Sequence, residues 1–233
     1  MRQKVISVKL ISMEINDIKA IVKAFRLFHY DLRSVFRFIH LNFFSSNVRR
    51  TGGYLYIYPY VVWCMDKKAI CQIHGDCHIG IPAIPGSKSM SFFVMRSSSV
   101  FTVNDKCEFL EQCDVQIHKG GKLNIDSFHS NIDLEISCGD SIIIGKDVTA
   151  GRHVRIKDFN GHKVDYEGYP IHAPIHISNH VWLCTGSTIN PGVNIAYGAV
   201  IADNANVISD IASMSFNQGN PSRKIKSNIT FEI

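Results

Sequence analysis

The chain has 233 residues, of which 45% are hydrophobic and 19% charged, and a formal charge of +5. That composition describes one globular domain with material for a core, and it excludes a disordered or collagen-like chain. Charge is uneven: residues 1–50 hold ten Lys/Arg against three Asp/Glu, and the rest is near −2. A basic segment on a near-neutral domain argues against a nucleic-acid partner.

No stretch reaches eighteen uncharged apolar residues, and no signal-peptide pattern opens the sequence, so a cytoplasmic protein is expected. Within 1–53, residues 17–44 place Ile18, Ile21, Val22, Phe25, Phe28, Leu32, Val35, Phe36, Ile39 and Phe43 at spacings of three and four, with Lys19, Lys23, Arg26, Arg33 and Arg37 between them. The spacing predicts one amphipathic α-helix capped by Asn16 or Asp17. Its apolar stripe packs either on the protein or, peripherally, on the inner face of the cytoplasmic membrane through anionic lipid.

From Tyr54 onward, short Ile/Val-rich runs alternate with Gly, Asp, Asn and Ser. Every sixth residue from Ile177 is aliphatic: Ile177, Leu183, Ile189, Ile195, Ile201, Val207. Four positions after each come Val181, Ser187, Val193, Ala199, Ala205 and Ile211. Upstream, Ile132, Cys138, Ile144, Ala150 and Ile156 keep the phase, and segment 158–174 interrupts it. One strand and one corner per six residues, three units per coil, predict an all-β stack of triangular coils over 54–212. Residues 213–233 form a tail. The seven cysteines lack a CxxC pair and are odd in number, so they read as reduced thiols; the six-residue pairs Cys71/Cys77 and Cys107/Cys113 read as core positions.

Four motifs appear in order: Ile144-Gly145-Lys146-Asp147-Val148; Asp158-Phe159-Asn160-Gly161-His162; Pro174-Ile175-His176-Ile177 running to Val181-Trp182-Leu183; and Gly219-Asn220-Pro221-Ser222-Arg223-Lys224-Ile225-Lys226. Over about 55–230 the chain resembles the hexapeptide-repeat acetyltransferases, in particular those that O-acetylate capsule, lipopolysaccharide or polysialic acid. The resemblance implies a left-handed parallel β-helix, a homotrimer with active sites between neighbouring coils, and acetyl-CoA as donor to a glycan hydroxyl. It makes His162 the general base, a role that suits imidazole because it titrates near neutrality. It assigns Trp182, Thr185, Ala202, Asp203, Arg223 and Lys226 to the donor, with the Thr185 amide as oxyanion donor. Asp158, Asn160 and Trp182 fall on the acceptor.

Three positions depart from the family pattern. Asn160 replaces Asp, Cys184 replaces Gly, and Ala202-Asp203 replaces Gly-Ala. These departures sustain an alternative in which the β-helix binds carbohydrate or serves as a scaffold. His172 is the rival base. A metal is not expected, because His172, His176 and His180, four apart on a six-residue repeat, do not share a face.

Overall fold

The computed structural model describes residues 14–162 and 171–232. Runs of apolar residues this short support only short strands, and the strands span two to five residues. Except at the final strand, Arg223–Ser227, neighbouring strands of a sheet pair in parallel and lie one coil apart. Trp182 pairs with Val200, Thr188 with Asn206 and His176 with Asn194, all eighteen residues apart. Three sheets of seven, nine and seven strands result among the described residues, here A, B and C. The chain passes from A to B to C and back, so the coil is triangular and the fold is a parallel β-helix.

The inward column holds Ile177, Leu183, Ile189, Ile195, Ile201 and Val207, all completely buried, and the six expected corner residues from Val181 to Ile211 are buried beside them. Each large aliphatic side chain removed from water stabilises the coil by about 1.5–3 kcal/mol. Ile132 departs from expectation. It is only half-buried, and Leu134 and Ile136 point inward in its place. That coil is longer, with Glu135 pairing Arg155, so the phase slips by two residues. Cys71, Cys77, Cys107, Cys113 and Cys138 are core residues. Burial raises the Cys71 and Cys77 thiols far above their usual range and that of Cys113 to about 12, which keeps them inert.

The first strand, Val48–Arg50, pairs with Cys71–Ile73, so the coil begins at Val48 rather than Tyr54. Above it the expected single helix is two: α1 (Ile15–Leu27) and α2 (Leu32–Ile39), followed by a π-helical turn, His40–Phe44. The break sits at His29 and Tyr30, both at positive φ, because the Asp31 carboxylate caps α2 by accepting the Ser34 N–H at 2.9 Å. Helix α1 starts two to three residues earlier than expected, with Glu14 as its cap and the Asp17 carboxylate accepting the Glu14 N–H.

The break rotates the buried face. Ala20 and Ala24 of α1, its C-cap Phe28, and Val35 and Phe38 of α2 pack down, while Ile15, Ile18, Val22, Leu32 and Phe36 remain exposed. Phe38 stacks on Tyr56 at 5.0 Å and Phe28 meets Tyr58 edge-on at 5.4 Å. Asn42 completes the lid: its amide donates to Leu55 O and accepts from Leu55 N, satisfying a strand that has no coil above it. Arg50 ties the same region together, donating to Asn42 O and Gly53 O, pairing with Asp17 at 3.3 Å, and lying 4.3 Å over the Tyr54 ring.

At the other end Ser215–Gln218 continues sheet B in parallel with Val200–Ile201, and Arg223–Ser227 returns antiparallel.

Candidate active site

The 158–174 interruption leaves the corner between sheets C and A. Its stem is a narrow hairpin: Phe159 bridges His172, Asn160 N–H donates to Ile171 O, and Ala173 N–H donates to Asp158 O. Residues 163–170 lie outside the described part. Asp158 roots the hairpin. Its carboxylate is completely buried and accepts the amides of Gly139 and Asp140 at 2.5 and 3.0 Å. The expected contact of Asp158 with substrate is therefore corrected, since a carboxylate with no exposed surface anchors the wall instead. Burial raises its carboxyl above the usual range despite those amides. Asn160 is half-buried in the stem, and His162 is exposed two residues beyond it. His172 is exposed as well, with Nδ1 3.6 Å from the Asp140 carboxylate.

Trp182 is exposed on sheet B, as the alternation predicts. Sheet B is the side of the triangle opposite the C–A corner, so one chain does not bring His162 and Trp182 together. What it does bring together is a column of outward side chains along sheet B. In register these are His78, Glu108, His129, Thr149, Trp182, Val200, Phe216 and Lys226. The column changes character along its length: acidic and polar, then apolar from Trp182 to Phe216, then basic. Arg223, Lys224 and Lys226 are all exposed on the last strand.

A cavity of about 420 Å³ opens where polar gives way to apolar, lined by His129, Asn131, Thr149, Gly151, Arg152, Trp182, Cys184, Thr185 and Asp203. Ala202 is buried, donating to Asn217 O, whereas Asp203 is exposed at the rim. Burial, helped by the Asp203 carboxylate, raises the Cys184 thiol to about 11. Thr185 is exposed, and its amide donates to no protein group among the described residues. Gly151 leaves that amide open, for a Cβ at 151 would stand 2.7 Å from the Thr185 nitrogen. An uncommitted N–H beside an aromatic wall is a hydrogen-bond donor free to meet a ligand oxygen.

A larger hollow of about 770 Å³ lies under the α1–α2 turn, between His29, Arg33, Tyr60 and Lys88, remote from Trp182. Among the described residues no three His, Cys, Asp or Glu side chains are grouped to hold a metal. Reasoning from sequence missed Gly151 and Glu108, and gave His129 no part in the site. It also missed Phe231, which returns over His180 at 4.3 Å and reaches 6.0 Å from Trp182. Only the coil register could have placed Glu108 and His129 in line with Trp182.

No family sequence model matches the chain. It is 30% identical over 129 residues to a protein of Lysinibacillus sphaericus named "probable macrolide acetyltransferase", covering 46% of this chain and 72% of that one. The chain belongs to the hexapeptide-repeat acetyltransferase family. Another member, the galactoside O-acetyltransferase of Escherichia coli, is 33% identical over 104 residues, 43% of this chain and 51% of that protein. Across the curated relatives it matches, the chain spans from about a quarter to about seven-tenths of their length, and about half in most cases. The crystal structure of a polySia-specific acetyltransferase aligns with 80% of this chain and 88% of its own, at a TM-score of 0.42 and 20% identity. The three-sheet coil described above is the left-handed β-helix of this family.

Proposed function

We propose that the chain is an acetyl-CoA-dependent O-acetyltransferase acting on a sugar hydroxyl of a bacterial surface polysaccharide, capsule or lipopolysaccharide, or its precursor. The observation that carries this reading is the sheet B column, in which an open Thr185 amide beside Trp182 is followed by an apolar run and then by three cations. Acetyl-CoA has the matching order. Its thioester meets Thr185 and Trp182, its pantetheine lies over Val200 and Phe216, and its phosphates meet Arg223 and Lys226. Asp203 then faces the uncharged part of the donor, where a carboxylate is tolerable.

His162 is the base in this reading. It takes the proton of the sugar hydroxyl as the oxygen attacks the thioester carbonyl, and the Thr185 amide stabilises the oxyanion. Collapse breaks the C–S bond, and the thiolate leaves with the proton held by the imidazole. The products are the O-acetyl sugar and CoA.

Because His162 and Trp182 occupy opposite sides of one coil, a complete site needs two chains, and a homotrimer supplies three such pairings with cyclic closure. Thiol release from acetyl-CoA, followed with a sugar panel, tests the activity. His162→Ala should lower turnover on the order of 10²–10⁴-fold with folding intact. Co-assembling His162→Ala chains with Trp182→Ala chains should restore activity that neither has alone, and failure to complement would remove the shared site. A folded oligomer that stays silent with every sugar would favour the carbohydrate-binding scaffold.

The exposed Ile15, Ile18 and Val22 share one face of α1, flanked by Lys19 and Arg26, and this supports peripheral contact with an anionic membrane surface. No helix among the described residues is long and apolar enough to cross a membrane. Flotation with anionic but not neutral liposomes, abolished by Ile18→Glu, is the expected result.

A further inference from the structure

The donor occupies only half of the sheet B column. Resting on the reading above, the other half has to be accounted for, and its chemistry is specific. The thioester must lie at Trp182 and Thr185, and the polyanionic end of CoA cannot extend toward Glu108 without meeting a carboxylate. It therefore runs toward Lys226. The acceptor hydroxyl must then approach from the opposite direction, along Thr149, His129 and Glu108.

Those side chains are already arranged. His129 Nδ1 is 3.2 Å from Glu108 Oε2, and Lys106 Nζ is 2.7 Å from the other carboxylate oxygen. Burial would raise the Glu108 carboxyl, but Lys106 and His129 outweigh it and hold the group below its usual range. The carboxylate therefore fixes Nδ1 as the protonated nitrogen. That leaves Nε2 as an acceptor with no protein partner among the described residues, on a ring that lines the same cavity as Trp182. Two strand spacings, about 10 Å, separate His129 from Trp182, a span that one hexose ring and its hydroxyl contacts fill. Arg152, exposed at the rim and without an ion pair among the described residues, supplies further donors.

We propose that Glu108 and His129 form the acceptor subsite: His129 Nε2 accepts a hydrogen bond from a hydroxyl of the sugar ring, and Glu108 orients the imidazole, so that a different hydroxyl of the same sugar is presented to the thioester. His129 is a specificity residue and Glu108 a positioning residue. Neither takes part in proton transfer.

The experiment measures binding and turnover with maltose, a methyl galactoside and an oligosialic acid, each tested by ligand-observed NMR on the full chain with CoA present. His129→Ala should weaken the best-bound sugar, and raise its KM, at least tenfold, while the KM for acetyl-CoA and the melting temperature stay unchanged. Glu108→Gln should do the same more mildly, and His129→Gln, which keeps a hydrogen-bonding group, should recover part of the loss. Unchanged sugar affinity in His129→Ala overturns the proposal, as does a collapse of kcat at constant sugar KM, which would place His129 in the chemistry. If no sugar binds the wild type, the subsite is refuted, while CoA binding, scored separately, still reports on the donor half.

Discussion

Gly151 lies so close to Thr185 that a Cβ on the first would touch the amide nitrogen of the second, 2.7 Å away. The two residues sit on successive coils, so the opening is made by the stacking itself. Gly151→Ala should therefore lower kcat by about 10²–10³, the usual cost of losing an oxyanion donor, with little change in acetyl-CoA affinity. Steady-state kinetics on both substrates would check it, and an unaffected kcat would show that the open amide has no catalytic part.

Asp158 holds the root of the hairpin. Asp158→Ala leaves the Gly139 and Asp140 amides without their acceptor and should cost about 1–3 kcal/mol for each buried group stranded. Denaturant titration measures that loss. Activity should fall with it, because the hairpin that carries His162 loses its anchor.

The N-terminal lid should be acid-sensitive. His78 is buried against Tyr56 and Tyr58, and burial lowers its pKa to about 4. The unfolded chain, with an ordinary imidazole near 6.5, binds a proton that the folded one refuses, so stability falls as pH drops from about 6.5 to 4. About 3 kcal/mol is at stake over that window. Melting temperature against pH should show the fall, and His78→Phe should flatten it.

Arg50→Lys is not a conservative change at this position. A lysine keeps the charge near Asp17 but cannot reach Asn42 O and Gly53 O together from over the Tyr54 ring. A loss of about 1–3 kcal/mol is expected, read by chemical denaturation, with α1 becoming the first segment open to proteolysis.

The C-terminal coils were legible because period and burial coincide there: eighteen residues per coil from Trp182 to Val200 leave the hydrophobic spacing undisturbed. Upstream, coils of other lengths slide the phase, which is why Ile132 misled and Leu134 could not be chosen in advance. The helix break escaped notice because the apolar spacing runs straight through it. The decisive signal, Asp31 capping at Ser34, is a local polar contact that competes with a strong hydrophobic pattern. For the candidate site, the motifs marked His162, Trp182 and Thr185. They could not show that Asp158 is buried, since a carboxylate in a loop motif is equally able to face outward. Nor could they align Glu108, His129 and Trp182, which are neighbours only through pairing across four coils.

The antiparallel return of Arg223–Ser227 also bears on how far the solenoid can grow. A parallel sheet that simply stopped would offer its last edge to the first coil of another molecule, inviting end-to-end filaments. Here the last strand of sheet B runs against the others and carries Arg223, Lys224 and Lys226, so an incoming copy meets the wrong polarity and a row of like charges. At the opposite end the two helices close the coil. Neutralising the terminal cations should therefore increase the tendency of the particles to stack, which light scattering would register independently of any enzymatic assay.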